Sequence, residues 1–252
     1  MPLRHRLSGH SRLIGSIAIA WSSDGLFLVS GSYDETIRKW NTSSGECELT
    51  IKSPDWIYAV ALSPDNKHIL SGGDRGVHVW DSSTGQIVFG PLHSPVCSVA
   101  YSPNGQYFVS GSWDGSVIIW DSTTGTNHLA PFKAHSSIIH SIAFHPTGKT
   151  FATMSADETI VVWDANTFKS THKFANVGLH LVTNSIQYSP NGRSILTASN
   201  DQIKVLDTQT GKVRNKSDDG VNAAAFSPDG RWVASGSGQG SVKVWEFLEY
   251  DT

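Results

Sequence analysis

The sequence predicts an all-β protein built from six copies of one four-stranded unit. A tryptophan, replaced once by Leu206, closes a β-rich run at intervals of 39 to 43 residues, and a Ser/Pro/Asn/Asp/Gly turn recurs with the same period. Two independent marks that share a period indicate a repeat array rather than a chance pattern. Repeats of this length, made of short β-branched runs, are typical of the blades of a β-propeller.

The first mark ends the third strand of each unit. It stands at Trp40, Trp80, Trp120, Trp163 and Trp245, and Leu206 takes its place between the last two. The second mark is the turn between the first two strands, as in Ser102-Pro103-Asn104-Gly105. Together they predict a single domain, residues 1–252, with repeat units at approximately 8–45, 46–85, 86–125, 126–168, 169–211 and 212–248.

The third unit shows how the strands are recognised. Residues 96–101, 106–110 and 117–120 are short runs rich in β-branched and aromatic side chains, and residues 121–125 turn the chain into a weaker fourth strand. Gly, Pro, Asn and Asp bound each run, which is the pattern of strands joined by hairpins. Almost no segment of the chain has the 3.6-residue period of a helix.

Composition excludes several function classes. The net charge is −3 and no basic run is present, so we expect no nucleic-acid partner. Cys47 and Cys97 stand in apolar β-like stretches, which does not indicate a disulfide framework. Residues 1–10 lack the apolar run of a signal peptide, and no stretch approaches the roughly 18 apolar residues of a membrane helix. We therefore expect no membrane association and a cytoplasmic location, with the nucleus not excluded.

The repeats resemble the WD40 family. The Trp-Asp pair stands at Trp80-Asp81, Trp120-Asp121 and Trp163-Asp164, and the Gly-His mark at Gly9-His10. The resemblance implies a buried hydrogen-bond chain, or tetrad, of a His, an Asp, a Ser or Thr and the Trp in one blade. The implied tetrads are His10, Asp34, Ser30 and Trp40 in unit one and His135, Asp157, Thr153 and Trp163 in unit four. These residues are expected to be structural, because a buried indole N–H needs a partner.

Ring closure is the open point of this architecture. The family usually has seven blades, whereas this chain has six repeats. Residues 3–7 precede the Gly-His mark where an outer strand belongs, and residues 241–247 form only a third strand of the last unit. We predict that the N-terminal strand pairs with the last blade and closes a six-bladed, monomeric ring. The alternative is a fragment of a longer propeller.

Aromatic residues mark a candidate binding face. By the family resemblance, Trp113, just before Asp114, and Tyr33 at the matching place point to the top face around the central channel, as do Trp56 and Tyr58 at the start of an innermost strand. The later units place His140, Asn184, Asn200 and Asn222 at such positions. Exposed Trp and Tyr are enriched in binding hot spots. The alternative is that the aromatics fill gaps between loops. Trp21 and Trp232 lie beside strands and are expected to be packed.

No motif predicts chemistry. Gly148-Lys149-Thr150 looks like the end of a phosphate loop, but Ala143 replaces the required glycine and a strand follows. His135, His140 and His145 are spaced by five residues, and no Cys/His pair has zinc spacing. We therefore predict no catalytic residue, no metal and no cofactor.

The predicted function is a non-catalytic protein–protein interaction scaffold that binds a peptide or protein segment on the top face. A small-ligand or glycan-binding propeller is one alternative, and an enzyme is another. Residues 90–93 and 130–135 resemble the propellers of fungal NACHT–WD40 STAND-type proteins, which leaves the sensor portion of a larger NLR-like receptor as a third. A ligand in the central channel also stays open.

Overall fold

The chain is all-β, as the sequence predicts. A computed structural model describes residues 7–92, 95–175, 185–199, 202–217, 221, 223–236 and 242–247. Every regular element within these residues is a strand, from β1 to β23, and the strands form repeated antiparallel sheets. The first two repeats share one eight-stranded sheet, which a single parallel pair, Ile17 with Ala59, holds together. Each of the other four sheets corresponds to one repeat, so the described residues contain six blades. The chain divides into two compact units, residues 1–134 with blades one to three and residues 135–252 with blades four to six.

The first unit contains three four-stranded blades. Blade one consists of β1 (Ile14–Trp21), β2 (Phe27–Ser32), β3 (Thr36–Asn41) and β4 (Cys47–Lys52). Blade two consists of β5 (Ile57–Leu62), β6 (His68–Gly73), β7 (Gly76–Asp81) and β8 (Ile87–Leu92). Blade three consists of β9 (Val96–Tyr101), β10 (Tyr107–Ser112), β11 (Ser116–Asp121) and β12 (Phe132–Lys133). Consecutive strands pair antiparallel in all three blades.

The second unit repeats the design. Blade four consists of β13 (Ile139–Phe144), β14 (Thr150–Ser155), β15 (Ile160–Asp164) and β16 (Ser170–Phe174). Blade five consists of β17 (Ser185–Tyr188), β18 (Ser194–Ser199), β19 (Gln202–Asp207) and β20 (Val213–Ser217). Blade six consists of β21 (Ala223–Phe226), β22 (Trp232–Gly236) and β23 (Val242–Glu246). The strand predicted to complete blade six, residues 3–7, lies almost wholly outside the described residues.

A serine closes the first turn of most blades. In blade three the Ser102 hydroxyl donates to Asn104 Oδ1 at 2.7 Å and accepts the Tyr107 N–H at 3.0 Å. Gly105 follows with a φ of 70°, a left-handed conformation that glycine adopts without steric cost. The recurring Ser/Pro/Asn/Asp/Gly signature is therefore a hydrogen-bonded hairpin turn that fixes the register of the two strands.

The aspartate of the Trp-Asp pair closes a second turn. Asp121 Oδ1 accepts the backbone N–H groups of Thr123 at 2.9 Å and Thr124 at 2.8 Å. These bonds, led by the one from Thr124, lower the pKa of the Asp121 carboxyl below its ordinary value. Asp81, Asp164 and Asp207 hold the matching turns in the same way. This repeated acid is thus a turn residue rather than a candidate for catalysis.

Apolar side chains fill the spaces between neighbouring blades of a unit. Val29 and Ile37 of blade one share a buried cluster with Ile57, Val60 and Ile69 of blade two. Other clusters join blades two and three, four and five, and five and six. Fully burying one such side chain contributes about 1.5–3 kcal/mol, so these clusters are the main source of stability within each unit.

Trp21 and Trp232 are not packed, contrary to expectation. Trp21 is 62% exposed and Trp232 is 40% exposed. Trp21 occupies the strand position of Leu62 in blade two and Tyr101 in blade three, and both of those side chains pack against the clusters they share with the preceding blade. Blade one is the first blade of its unit, so the described part of that unit provides no preceding blade to cover Trp21.

Candidate functional site

Four side chains of blade one form a continuous hydrogen-bond chain. Trp40 Nε1 donates to Ser30 Oγ at 2.8 Å, and Ser30 Oγ lies 2.7 Å from His10 Nε2. His10 Nδ1 lies 3.0 Å from Asp34 Oδ2. The structure therefore brings together the four residues that the resemblance implied for this blade. Burial alone would raise the pKa of Asp34, but hydrogen bonds from Thr36, Ser11 and His10 outweigh it and lower the value to about 2.

Blade four contains the same arrangement. Trp163 Nε1 donates to Thr153 Oγ1 at 2.9 Å, which lies 2.7 Å from His135 Nε2, and His135 Nδ1 lies 3.2 Å from Asp157. Burial would raise the pKa of Asp157, yet bonds from Thr159, Ser136 and His135 lower it to about 2. Burial also lowers the pKa of His135, although Asp157 opposes that shift. The side chains of His10 and Asp34 are 6% and 5% exposed, and those of His135 and Asp157 are 0% and 9% exposed, which fits a structural role.

Blades without the histidine keep only part of the chain. Trp80, Trp120 and Trp245 donate to Ser71, Ser110 and Ser235 at 2.8, 2.9 and 3.2 Å. In blade two the turn between β6 and β7 is held by an acid from a different loop. Asp55, in the loop before β5, accepts the backbone N–H groups of Asp74 at 3.2 Å and Arg75 at 2.6 Å. Burial raises the pKa of Asp55, and these two bonds oppose the shift.

The turn of blade two is also one residue shorter. Gly73 pairs with Gly76, so only Asp74 and Arg75 lie between β6 and β7. Three residues lie between β10 and β11 of blade three, of which Trp113 is the first. Counted from the end of the strand, Asp74 therefore stands where Tyr33 and Trp113 stand in their blades. The shorter turn is visible in the sequence, because Trp80 stands nine positions after Ser71 whereas Trp120 stands ten positions after Ser110.

Gly73→Ala should destabilise the protein by about 1–3 kcal/mol, because overpacking in a closed site has this cost. A Cβ at Gly73 would lie 2.2 Å from the backbone oxygen of Trp56 and 2.8 Å from the Asp55 carboxylate. Urea denaturation measures the loss. Gly236→Ala is the matched control, since no atom of the described residues, apart from its own chain neighbours, lies within 4 Å of its added Cβ. Equal stability of the two variants would show that the loop of Trp56 moves freely away from Gly73.

Four aromatic rings of the first unit form one contiguous surface, hereafter the aromatic patch: Tyr33, Trp56, Tyr58 and Trp113. Tyr33 stacks on Trp56 with ring centroids 5.7 Å apart and meets Tyr58 edge-on at 5.6 Å. Tyr58 contacts Trp113 at 6.0 Å, so the rings run from blade one to blade three. Trp56 is 42% exposed and Trp113 is 46% exposed. The patch thus offers large apolar area to a partner.

A carboxylate lies at the aromatic patch. The Tyr58 hydroxyl donates to Asp74 Oδ1 at 2.7 Å. Burial, together with this bond and the charge of Asp74, raises the pKa of Tyr58 far above its ordinary value. Burial and Asp74 also raise the pKa of Cys97 to about 12, so this thiol stays protonated and is a poor nucleophile.

The remaining candidates for the binding face belong to the second unit. His140 is half-buried, its Nε2 has no hydrogen-bond partner among the described residues, and burial lowers its pKa. Asn184, Asn200 and Asn222 lie outside the described residues. The structure therefore brings four of the eight candidate residues together, and all four are aromatic.

Comparison with known proteins identifies the repeat. The family described as WD domain, G-beta repeat matches residues 1–41, 45–81, 86–121, 126–164 and 208–246. The chain belongs to this family. The five matched WD40 repeats leave out most of blade five, where Leu206 replaces the tryptophan.

The chain is similar to several longer curated proteins. The chain is 29% identical over 256 residues to autophagy-related protein 16 of Arabidopsis thaliana, covering 96% of this chain and 49% of that protein. It is 27% identical over 260 residues to protein tipD of Dictyostelium discoideum, covering 96% and 41%. A stretch of 101 residues, 38% of this chain and 32% of the relative, is 33% identical to target of rapamycin complex subunit wat1 of Schizosaccharomyces pombe. The chain thus spans about half or less of these relatives. The likeness to NACHT–WD40 propellers stays a prediction.

Within the described ranges, no group of three or more His, Cys, Asp or Glu side chains is arranged to hold a metal ion. That part of the chain also has no helix long and apolar enough to cross a membrane.

Proposed function

We propose that this WD40 protein is a non-catalytic interaction scaffold whose aromatic patch binds a peptide or protein segment. The observation that carries the proposal is the exposure of Trp56 and Trp113 within one continuous set of four rings. His140, Asn184, Asn200 and Asn222 are proposed as further contact residues. We also propose a single domain in the cytoplasm, with protein partners and with neither nucleic acid nor membrane as a target.

Physical chemistry favours the rings as hot spots. A Trp or Tyr ring buries a large area and loses little side-chain entropy when it is bound. In the aromatic patch the rings already contact one another in the free protein, so part of their side-chain entropy is lost before binding. Among the relatives, wat1 is by its name a subunit of a complex, which supports protein partners for this fold.

Trp56→Ala and Trp113→Ala should each weaken peptide binding at least 30-fold, equivalent to about 2 kcal/mol at a hot spot. The full chain is used to select binders from a random peptide display library, and the affinities of the enriched peptides are measured by calorimetry. Ile87→Ala is the matched control, because Ile87 is 52% exposed on the outer strand of blade two. The free energy of unfolding should change by only about 1 kcal/mol, since both indoles are half exposed.

Two results would contradict the proposal. Enriched peptides that bind Trp113→Ala as tightly as the unchanged chain would place the binding surface elsewhere. A loss of several kcal/mol of stability in both variants would make the rings core residues. A glycan array tests the small-ligand alternative, and a sugar signal that disappears in Trp56→Ala would favour it.

We further propose that the six blades close into a monomeric ring, with residues 3–7 as the fourth strand of blade six. The exposure of Ile19, at 56%, and Trp21, at 62%, supports this, because apolar side chains at these strand positions are covered in the following blades. Three described strands in blade six leave room for a fourth beside β23.

Deleting residues 1–8 should then lower the melting temperature by several degrees, because an outer strand would be lost and an edge exposed. Calorimetry measures the shift, and deletion of residues 249–252 is the control. An unchanged melting temperature would reject the closing strand. Dimers or aggregates of the unchanged chain in sedimentation would instead favour a portion of a longer propeller.

A further inference from the structure

Asp74 brings a negative charge to the aromatic patch. It takes the turn position that Tyr33 and Trp113 occupy in their blades, it is exposed, and its Oδ1 accepts the Tyr58 hydroxyl at 2.7 Å. None of the ion pairs formed by the described residues involves Asp74. Lys133, a cation of the same unit, lies 3.7 Å from Asp114 instead.

The neighbouring groups respond to this charge. Tyr58, Cys97 and Asp55 all have raised pKa values, with burial as the first cause and the negative charge of Asp74 as a contributor to each. Burial disfavours a charge of either sign, but the contribution of Asp74 is a negative potential, which favours a positive charge beside it. The patch therefore combines apolar ring faces with a carboxylate, which is the chemistry of a cation-binding surface rather than of a purely apolar one.

We propose that the aromatic patch recognises an arginine side chain of the bound segment, with Asp74 as its counter-charge. This rests on the proposed function, in which the patch binds a peptide or protein segment. The guanidinium group stacks on the exposed indole faces of Trp56 or Trp113 and donates a charge-assisted hydrogen bond to Asp74 Oδ2.

Arginine fits the patch better than lysine. The guanidinium is planar and weakly hydrated, so it stacks on an aromatic face while its edge donates to a carboxylate. An ammonium group is strongly hydrated and has no plane to stack. The hydrogen bond from Tyr58 holds the Asp74 carboxylate beside the rings, so the charge is already oriented before binding.

The peptides selected on the full chain supply the first test. Arginine should be enriched at one position among them, and replacing it by citrulline, which has the same shape without the charge, should weaken binding at least tenfold. Asp74→Asn should weaken the arginine peptides by the same factor. The effects of citrulline and of Asp74→Asn on the affinity should not add, because each change removes the same interaction. The citrulline peptide should therefore bind the unchanged chain and Asp74→Asn with affinities within a factor of two.

A small probe tests the site without any selected peptide. Acetyl-arginine amide is titrated into the labelled full chain while the indole N–H signals of Trp56 and Trp113 are followed by NMR. We expect saturable shifts with this probe, none with acetyl-citrulline amide, and at least fivefold weaker binding in Asp74→Asn. Glu46→Gln is the matched control, since it removes the same charge from an exposed turn of the same unit.

The outcomes separate the two proposals. Equal responses to the arginine and citrulline probes, or an unchanged affinity in Asp74→Asn, would overturn the arginine assignment. Selected peptides that need Trp113 but carry no arginine would overturn it while leaving the peptide-binding function standing. Saturable binding of the arginine probe with no selectable peptide would keep the arginine site and reject the peptide function. Tyr58→Phe, which removes only the hydroxyl bonded to Asp74, should lower the affinity for the arginine probe at least twofold.

Discussion

Acidification should lower the free energy of unfolding of the unchanged chain by about 4–5 kcal/mol more than it lowers that of the double variant Asp34→Asn/Asp157→Asn. Each carboxyl has a pKa of about 2 in the folded chain against an ordinary value of 3.8. A pKa lowered by folding contributes stability that is complete above the unfolded pKa and is lost as the pH falls through the folded one. Each of these shifts corresponds to about 2 kcal/mol, with roughly half of it lost by pH 3.

The measurement is urea denaturation of both chains at a series of pH values between 7 and the acid midpoint. The difference between the two curves isolates Asp34 and Asp157, because the exposed turn aspartates with lowered pKa titrate in both chains. Glu46→Gln is the control and should run parallel to the unchanged chain. A difference that stays constant from pH 5 to pH 3 would show that neither tetrad acid is held in its charged form.

The buried histidines affect stability over a different pH range from the tetrad acids. Burial lowers the pKa of His135 and His78 below the ordinary value of 6.5. The folded chain therefore favours their neutral forms, and the stability they contribute is present above pH 6.5 and falls as the pH drops below it. A loss that begins as the pH falls through 6.5 belongs to these groups together with His140 and His145, whose pKa values burial also lowers. The tetrad acids account for the part of the loss below pH 4 that the double variant lacks.

Thr153→Val should cost about 3 kcal/mol, the second large effect. Thr153 is fully buried, and its hydroxyl joins Trp163 Nε1 at 2.9 Å to His135 Nε2 at 2.7 Å. Valine keeps the shape but leaves two buried polar groups without a partner, and each such group costs about 1–3 kcal/mol. Denaturant midpoints measure the loss, and Thr153→Ser should recover most of it because the hydroxyl is kept.

Blade five supplies the matched control for this experiment. Thr197 is equally buried at the same strand position, but Leu206 stands where Trp163 stands in blade four. No indole N–H depends on Thr197, so Thr197→Val should cost under about 1 kcal/mol. If the two valine variants were equally stable, the tetrad would contribute nothing beyond apolar packing.

Periodicity made most of the architecture predictable from the sequence. The spacing of Trp40, Trp80 and Trp120 marks the blades, and the strands follow because β-branched runs alternate with turn residues at a constant period. A period describes what the repeats share. It could not show that blade two is one residue shorter, nor that Asp55 reaches the turn from a different loop, because both are departures from the repeat.

The candidate site was predictable in its residue types and not in its contacts. Tyr33, Trp56, Tyr58 and Trp113 are visible as surplus aromatics once the blade markers are removed. Their mutual stacking and the hydrogen bond from Tyr58 to Asp74 depend on three blades of one unit meeting at one edge, which no local pattern encodes. Trp21 was misjudged for a related reason, since a strand residue is covered only where a neighbouring blade exists.

Blade two takes the acid that holds its turn from a different loop than blades one and four do. In blades one and four the turn acid is tied to the tetrad, so a change there disturbs folding. In blade two Asp55 holds the turn from the loop before β5, and the exposed Asp74 contributes its backbone N–H to that turn while its side chain bonds Tyr58. Position 74 can therefore vary by drift or by design while the blade stays intact. A single substitution at position 74 could therefore change the charge beside the aromatic patch, and with it the class of partner that the patch binds.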